Sequence, residues 1–140
     1  MGPIRQFQIV FVLLALNFII PAISYTFFPH VAVEGFLSLN TLLGGAEYTF
    51  PEAQSRVWRY LGAANVMTLG FMCTLLLANL RRFYPVLVPL TFMKGYAALA
   101  WLFGWIADPG ARFFLAAAVF DALTCCAFVF FATRARRALG

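Results

Sequence analysis

Lys94, inside "TFMKGYAALAW", and Asp121, inside "VFDAL", each place a full charge within a long apolar run. A lysine and an aspartate brought together can lock two helices as an ion pair, hold the polar head of a ligand, or pass a proton. Two amides complete the set, because Asn17 and Asn65 also lie near the middle of apolar stretches. An amide both donates and accepts hydrogen bonds, so it can join helices or meet a neutral ligand. A charge at the centre of a membrane-spanning helix costs on the order of 2.5 to 3.5 kcal/mol on insertion scales. Lys94 and Asp121 are therefore expected to turn away from lipid and toward each other.

The elements that must position these residues are helices. The chain has 140 residues, of which 64% are hydrophobic and only 11% charged, and its mean hydropathy is +0.88. A soluble domain carries about 25% charged residues. Four apolar segments run over residues 7–28, 57–80, 83–106 and 113–133, each near the roughly 20 residues that cross about 30 Å of hydrocarbon as a helix. The expectation is an all-α integral membrane four-helix bundle, one domain over residues 1–140, with an interfacial helix between helices 1 and 2. The stretch "IVFVLLALNFIIPAIS", with Ala22 and Ser24 near its end, also imitates a secretory leader, but a first membrane span is the reading carried forward.

Counting residues tests whether the charges can meet. Lys94 lies about 15 residues before the turn at Pro109 and Asp121 about 12 after it, an axial offset of roughly 4 to 5 Å at 1.5 Å per residue. A lysine stem lying along an apolar wall spans that distance. Helical spacing puts Thr124 and Cys125 beside Asp121, Thr68 and Met72 beside Asn65, and Pro21 and Ser24 on the stripe of Asn17. The proline frees a backbone carbonyl near that asparagine. Gly62, Gly95, Ala118 and Ala122 are expected to let backbones come close.

Boundaries have their own signals. Thr49, Pro51 and Glu52 in "TFPEAQSR" read as a capping box for the second helix, and Asp108 before Pro109 as a start signal for the fourth. The first connection is too long for a turn. Its "VAVEGFLSLNTLLGG" places Val33, Phe36, Leu37 and Leu43 on one helical face and Glu34, Ser38 and Thr41 on another, a short interfacial segment that acts as a cap or a gate.

Charge sets orientation. The formal net charge is +5, but the positives sit at the ends of apolar segments, which points to the lipid bilayer and not to nucleic acid. Arg5, Arg81, Arg82, Arg134, Arg136 and Arg137 fall on one side without an acid. Arg56, Arg59 and Arg112 share the other side with Glu34, Glu47, Glu52 and Asp108. The positive-inside rule then makes both termini cytoplasmic in a plasma (inner) membrane. Trp58, Trp101, Trp105, Tyr25 and Tyr60 read as an interfacial belt, with a stacking pocket as the alternative.

Other chemistry is weakly signalled. Cys73, Cys125 and Cys126 lie in apolar runs without metal-type or C-x-x-C spacing, and are expected to be inert thiols. His30 and Glu34, spaced i and i+4, make a metal set only with Glu47 or Glu52, and one histidine among scattered loop acids argues against it. No metal and no cofactor is expected. No nucleophile stands beside a recognisable base, and no phosphate-binding glycine loop is present, so no catalytic residue is assigned.

The segments "FFPHVAVEGF", "SRVWRYLGAANVM", "ANLRR" and "VFDAL" together resemble the small four-helix bacterial membrane proteins that include DoxX-like proteins. Some of those act as the membrane subunit of quinone-linked sulfur oxidation, so the resemblance implies an accessory or quinone-facing role. Lys94 has no counterpart in that pattern, and no site residue is carried over. The leading expectation is a non-enzymatic accessory or assembly subunit, packed against another membrane protein or in a homo-oligomer, because little chain lies outside the spans to do chemistry. The alternative is a small transporter or a binder of a lipophilic small molecule, quinone or lipid, using Lys94, Asp121, Asn65 and Asn17. A membrane enzyme or the quinone-facing subunit of one is the third reading.

Overall fold

A computed structural model describes residues 1–51 and 55–140, which form helices and connections without a strand. Helix α1 spans Pro3–Phe27 and α2 spans Pro29–Leu42. Each begins on proline, whose missing N–H is harmless in a first turn that has no helical acceptor for it. Helix α3 covers Arg56–Ala78 and ends at Asn79, whose backbone turns extended. The Asn79 side chain then accepts a hydrogen bond from Arg82 N at 3.0 Å and caps the short α4, Leu80–Phe83. A 3-10 turn over Tyr84–Val86 leads into α5, Leu87–Ala107, and α6 runs from Phe113 to Leu139. Among the described residues four stretches are long and apolar enough to cross a membrane: Pro3–Phe27, Arg56–Ala78, Leu80–Ala107 and Phe113–Leu139.

Two boundary expectations need comment. Asp108 closes α5 instead of opening α6; its carboxylate accepts from Gly110 N at 3.2 Å, and the next helix starts only at Phe113. The reason is local, since an aspartate that bonds two residues ahead makes a turn of its own. The capping box through Glu52, and that residue's part in a metal set, lie outside the described residues.

The helices pair as two hairpins. Helix α1 lies along α3, α5 lies along α6, and α1 and α6 join the pairs, whereas α3 and α5 scarcely touch. Buried residues trace one stripe per helix at helical spacing, such as Phe7, Phe11, Ala15, Phe18 and Ala22 on α1. In the half that holds both termini the stripes fill the interior: Phe11 and Phe128 have ring centroids 5.5 Å apart, and Leu76, Leu90 and Cys73 are fully buried around them. Contact between α1 and α3 depends on Gly70, where a Cβ would meet Ile19 Cγ1 at 2.6 Å. A Cβ on Gly62 would lie 3.2 Å from the Tyr25 ring, a tight contact but not a clash, and Ala118 is buried. Gly95 has nothing within 4 Å of a built Cβ and Ala122 is exposed, so neither serves close packing.

Helix α2 follows α1 after Phe28 and covers the end opposite the termini. Glu34, Ser38 and Thr41 are exposed while Val33, Phe36 and Leu37 are partly buried. Leu43 lies past the helix end and is exposed, and Asn40 takes the inward position instead. Asn40 holds the end together: its Nδ2 donates to Ala46 O at 2.7 Å and its Oδ1 accepts from Phe113 N at 3.2 Å. Arg112 adds a bond to Leu43 O at 2.7 Å, and Gly44 makes the intervening turn with φ of 70°. Rings of Phe36, Tyr48, Phe50 and Phe113 pack beneath. Asn40→Ala strands the buried Phe113 N–H, worth about 1 to 3 kcal/mol, and frees the Ala46 carbonyl in a part-buried place at smaller cost. We expect a loss of roughly 2 to 4 kcal/mol in unfolding free energy and faster amide exchange over residues 43–48; unchanged exchange there would show that Asn40 does not anchor the cap.

Candidate functional site

The other half of the molecule is not filled. A cavity of about 790 Å³ lies there, with Lys94 and Asp121 in its wall, Asn17 and Phe18 from α1, Asn65 and Leu69 from α3, and Phe36 and Leu39 of α2 above it. All four polar residues singled out by sequence reach this one space. Its side is the seam where α3 and α5 scarcely touch: Gly62 and Val66 line one edge, and Met93, Tyr96 and Ala97 the other.

Lys94 and Asp121 are 8% and 4% exposed, and the Lys94 Nζ donates to Asp121 Oδ1 in the one ion pair among the described residues. Their helices are antiparallel neighbours, which is what brings residues 27 positions apart to one depth. The ammonium also lies over the Phe18 ring, 4.8 Å from its centroid, and 5.9 Å from that of Phe120. These rings present their negative faces to the cation. The second carboxylate oxygen is taken as well, by Trp101 Nε1 at 3.1 Å. The aspartate is thus held from two sides, and the pair carries no net charge.

Trp101 is the functional candidate that sequence reading misplaced. The leading expectation for it was an interfacial belt, with a stacking pocket as the alternative; its indole turns inward and packs its ring on Phe114 at 5.7 Å. The signal was present in the spacing, since position 101 is seven residues after Lys94 and falls on the same helix face. Trp58 is 61% exposed, as a belt residue would be.

The amides behave differently from the charges. Asn17 and Asn65 line the cavity, and among the described residues neither side chain bonds to another helix. The helix-joining role weighed for them is therefore absent from this structure, because α1 and α3 meet on the stripes of Ala15 and Gly70 and leave the amides at the cavity's edge. Thr68 is exposed, its hydroxyl satisfied by Ala64 O at 2.8 Å. Thr124 is buried beside Asp121 but likewise bonds its own helix, at Phe120 O. Cys125 lies against Thr91 O at 3.5 Å, a contact between α6 and α5.

The arrangement can do one thing chemically without rearrangement. It can accept an apolar body through the seam and offer two free amides, each a donor and an acceptor, to a polar head. No family model, curated protein or solved structure matches the chain.

Proposed function

We propose that the chain is a multi-pass protein of the plasma (inner) membrane, with both termini cytoplasmic, that binds a lipophilic small molecule, a lipid or a quinone, in the cleft between α3 and α5. The observation that carries this reading is the coincidence of the cavity, its open seam and the internally neutralised Lys94–Asp121 pair. Membrane placement is supported by the four apolar helices, by outward side chains such as Leu13, Ile20, Phe71, Phe103 and Leu123, and by arginines gathered at one end. Since the charges satisfy each other, a ligand that leaves them paired has an uncharged head with carbonyl or hydroxyl oxygens. Asn17 and Asn65 would hold that head while its tail leaves through the seam. A carrier or small transporter uses the same geometry.

A second reading, an accessory or assembly subunit of the kind the DoxX-like resemblance implies, is favoured by the seam itself. A helix of a partner protein, or of another copy, fits where α3 and α5 leave each other unpacked. Native mass spectrometry after mild detergent extraction separates the two. The binding reading expects a lipophilic adduct retained by the wild type and reduced about tenfold in affinity, ~1.4 kcal/mol, when Asn17→Leu and Asn65→Leu are combined. An adduct-free protein that keeps a stoichiometric protein partner would replace the first reading with the second. Reporter fusions at residue 140 and within α2 are expected to fall on opposite sides of the membrane.

A further inference from the structure

The end of the molecule that holds both termini carries Arg5, Arg81, Arg82, Arg134, Arg136 and Arg137. The described acids Glu34, Glu47 and Asp108 lie at the other end, and Asp121 is engaged in the interior. Five of these arginines cluster around the start of α4 and the end of α6, and their surroundings divide them. Arg82 and Arg134 lie over the rings of Phe83 and Phe130, at 5.4 and 5.8 Å from the centroids. Phe130 is an outward side chain, 54% exposed, so Arg134 follows the lipid-facing surface. Arg81, Arg136 and Arg137 instead line one concavity of about 600 Å³, together with Tyr84 and Thr133.

Inside that concavity two of the three guanidinium groups, those of Arg81 and Arg136, are held in place. Arg136 stacks on Tyr84, 4.0 Å from the ring centroid, which fixes its plane. Arg81 donates to the main-chain oxygens of Leu139 and Gly140 and ties α4 to the end of α6. Arg137 makes no ion pair among the described residues. Thr133 spends its hydroxyl proton on Val129 O at 2.5 Å, so the arginines supply the charged donors. Gly140 also lines the space and its terminal oxygen already engages Arg81, so Arg136 and Arg137 are the donors left for an incoming anion; among the described residues no Asp or Glu side chain lines it.

We propose that this concavity binds the phosphate of an anionic lipid head group. A guanidinium presents two parallel N–H bonds that match two phosphate oxygens, which a diffuse positive surface does not. The apolar run of α6 ends at Thr133, so the concavity lies where head groups begin. The inference rests on the membrane placement proposed above but not on the cleft.

The test is a native mass spectrometry titration of the full chain in detergent with phosphatidylglycerol, and with zwitterionic phosphatidylcholine as comparison. Arg136→Gln with Arg137→Gln is set against Arg82→Gln with Arg134→Gln, which removes the same charge outside the concavity. We expect the first pair to weaken phosphatidylglycerol binding about tenfold or more and the second less than about threefold, with phosphatidylcholine unaffected. Equal losses would reduce the site to diffuse surface charge and overturn the proposal. Displacement of the lipid by millimolar inorganic phosphate would reassign the site to free phosphate and overturn the lipid assignment. Should the glutamine pair lower the melting temperature, Arg136→Lys with Arg137→Lys keeps the charge and removes the fork; unchanged affinity in that variant also overturns the site. A carbonate wash that strips the chain from membranes would fail the membrane placement separately.

Discussion

Lys94→Ala or Asp121→Ala alone is expected to lower the unfolding free energy by about 3 to 5 kcal/mol, because each leaves an uncompensated charge in a buried position. The combined change Lys94→Met with Asp121→Leu should recover most of that loss, since an apolar pair of similar volume asks for no desolvation of ions. Recovery is expected to be incomplete by about 1 kcal/mol, as the Trp101 indole N–H loses its acceptor on Asp121. Steric trapping in bicelles measures these differences. Retention of the lipophilic adduct separates a lock from a site wall: with Asn17 and Asn65 holding the head, the double variant should fold and keep the ligand if the pair only locks the helices, and hold it poorly if the pair itself meets the head. A stable double variant that binds as the wild type does would leave the pair with a structural role alone.

Ala97→Trp is the second large effect. Ala97 is half-buried in the cleft wall, one turn along α5 from Lys94, and an indole there projects into the space a ligand tail would use. Binding should fall about tenfold or more while stability changes by no more than ~1 kcal/mol, because the ring enters a space that already exists. Leu99→Trp, on the outward face at 58% exposure, is the matched control and should bind normally. Equal binding by the two variants would remove the cleft as the entry route. If what Ala97→Trp releases is a protein instead of a small molecule, the seam is a docking face and the accessory reading gains.

The helical content, the long apolar helices and the matching height of Lys94 and Asp121 on neighbouring helices were legible in the sequence, because these follow from counting residues along a rise of about 1.5 Å each. The rotation of each helix about its own axis was not. A helix that is apolar on all sides has no polar face to mark its outside, so Asn65 and Thr68 were expected to share an interior with Met72, whereas α3 actually buries Leu69, Gly70 and Cys73. The same gap hid Trp101, whose indole could serve a belt or a carboxylate from the same position. Asn40 was missed for a different reason: its partners, Ala46 O and Phe113 N, come from a loop and from a helix start 73 residues away, and hydropathy carries no trace of such a bond. Lys94 and Asp121 were found because a charge in an apolar run leaves few choices of neighbour.

Gly70 carries a mechanical consequence. With no room for a methyl group between α1 and α3, that contact has a fixed spacing, and α1 with α6 and α5 with α6 are also packed face to face. The side between α3 and α5 is the one least held by helix contact, so a change in its width disturbs the fewest packed pairs.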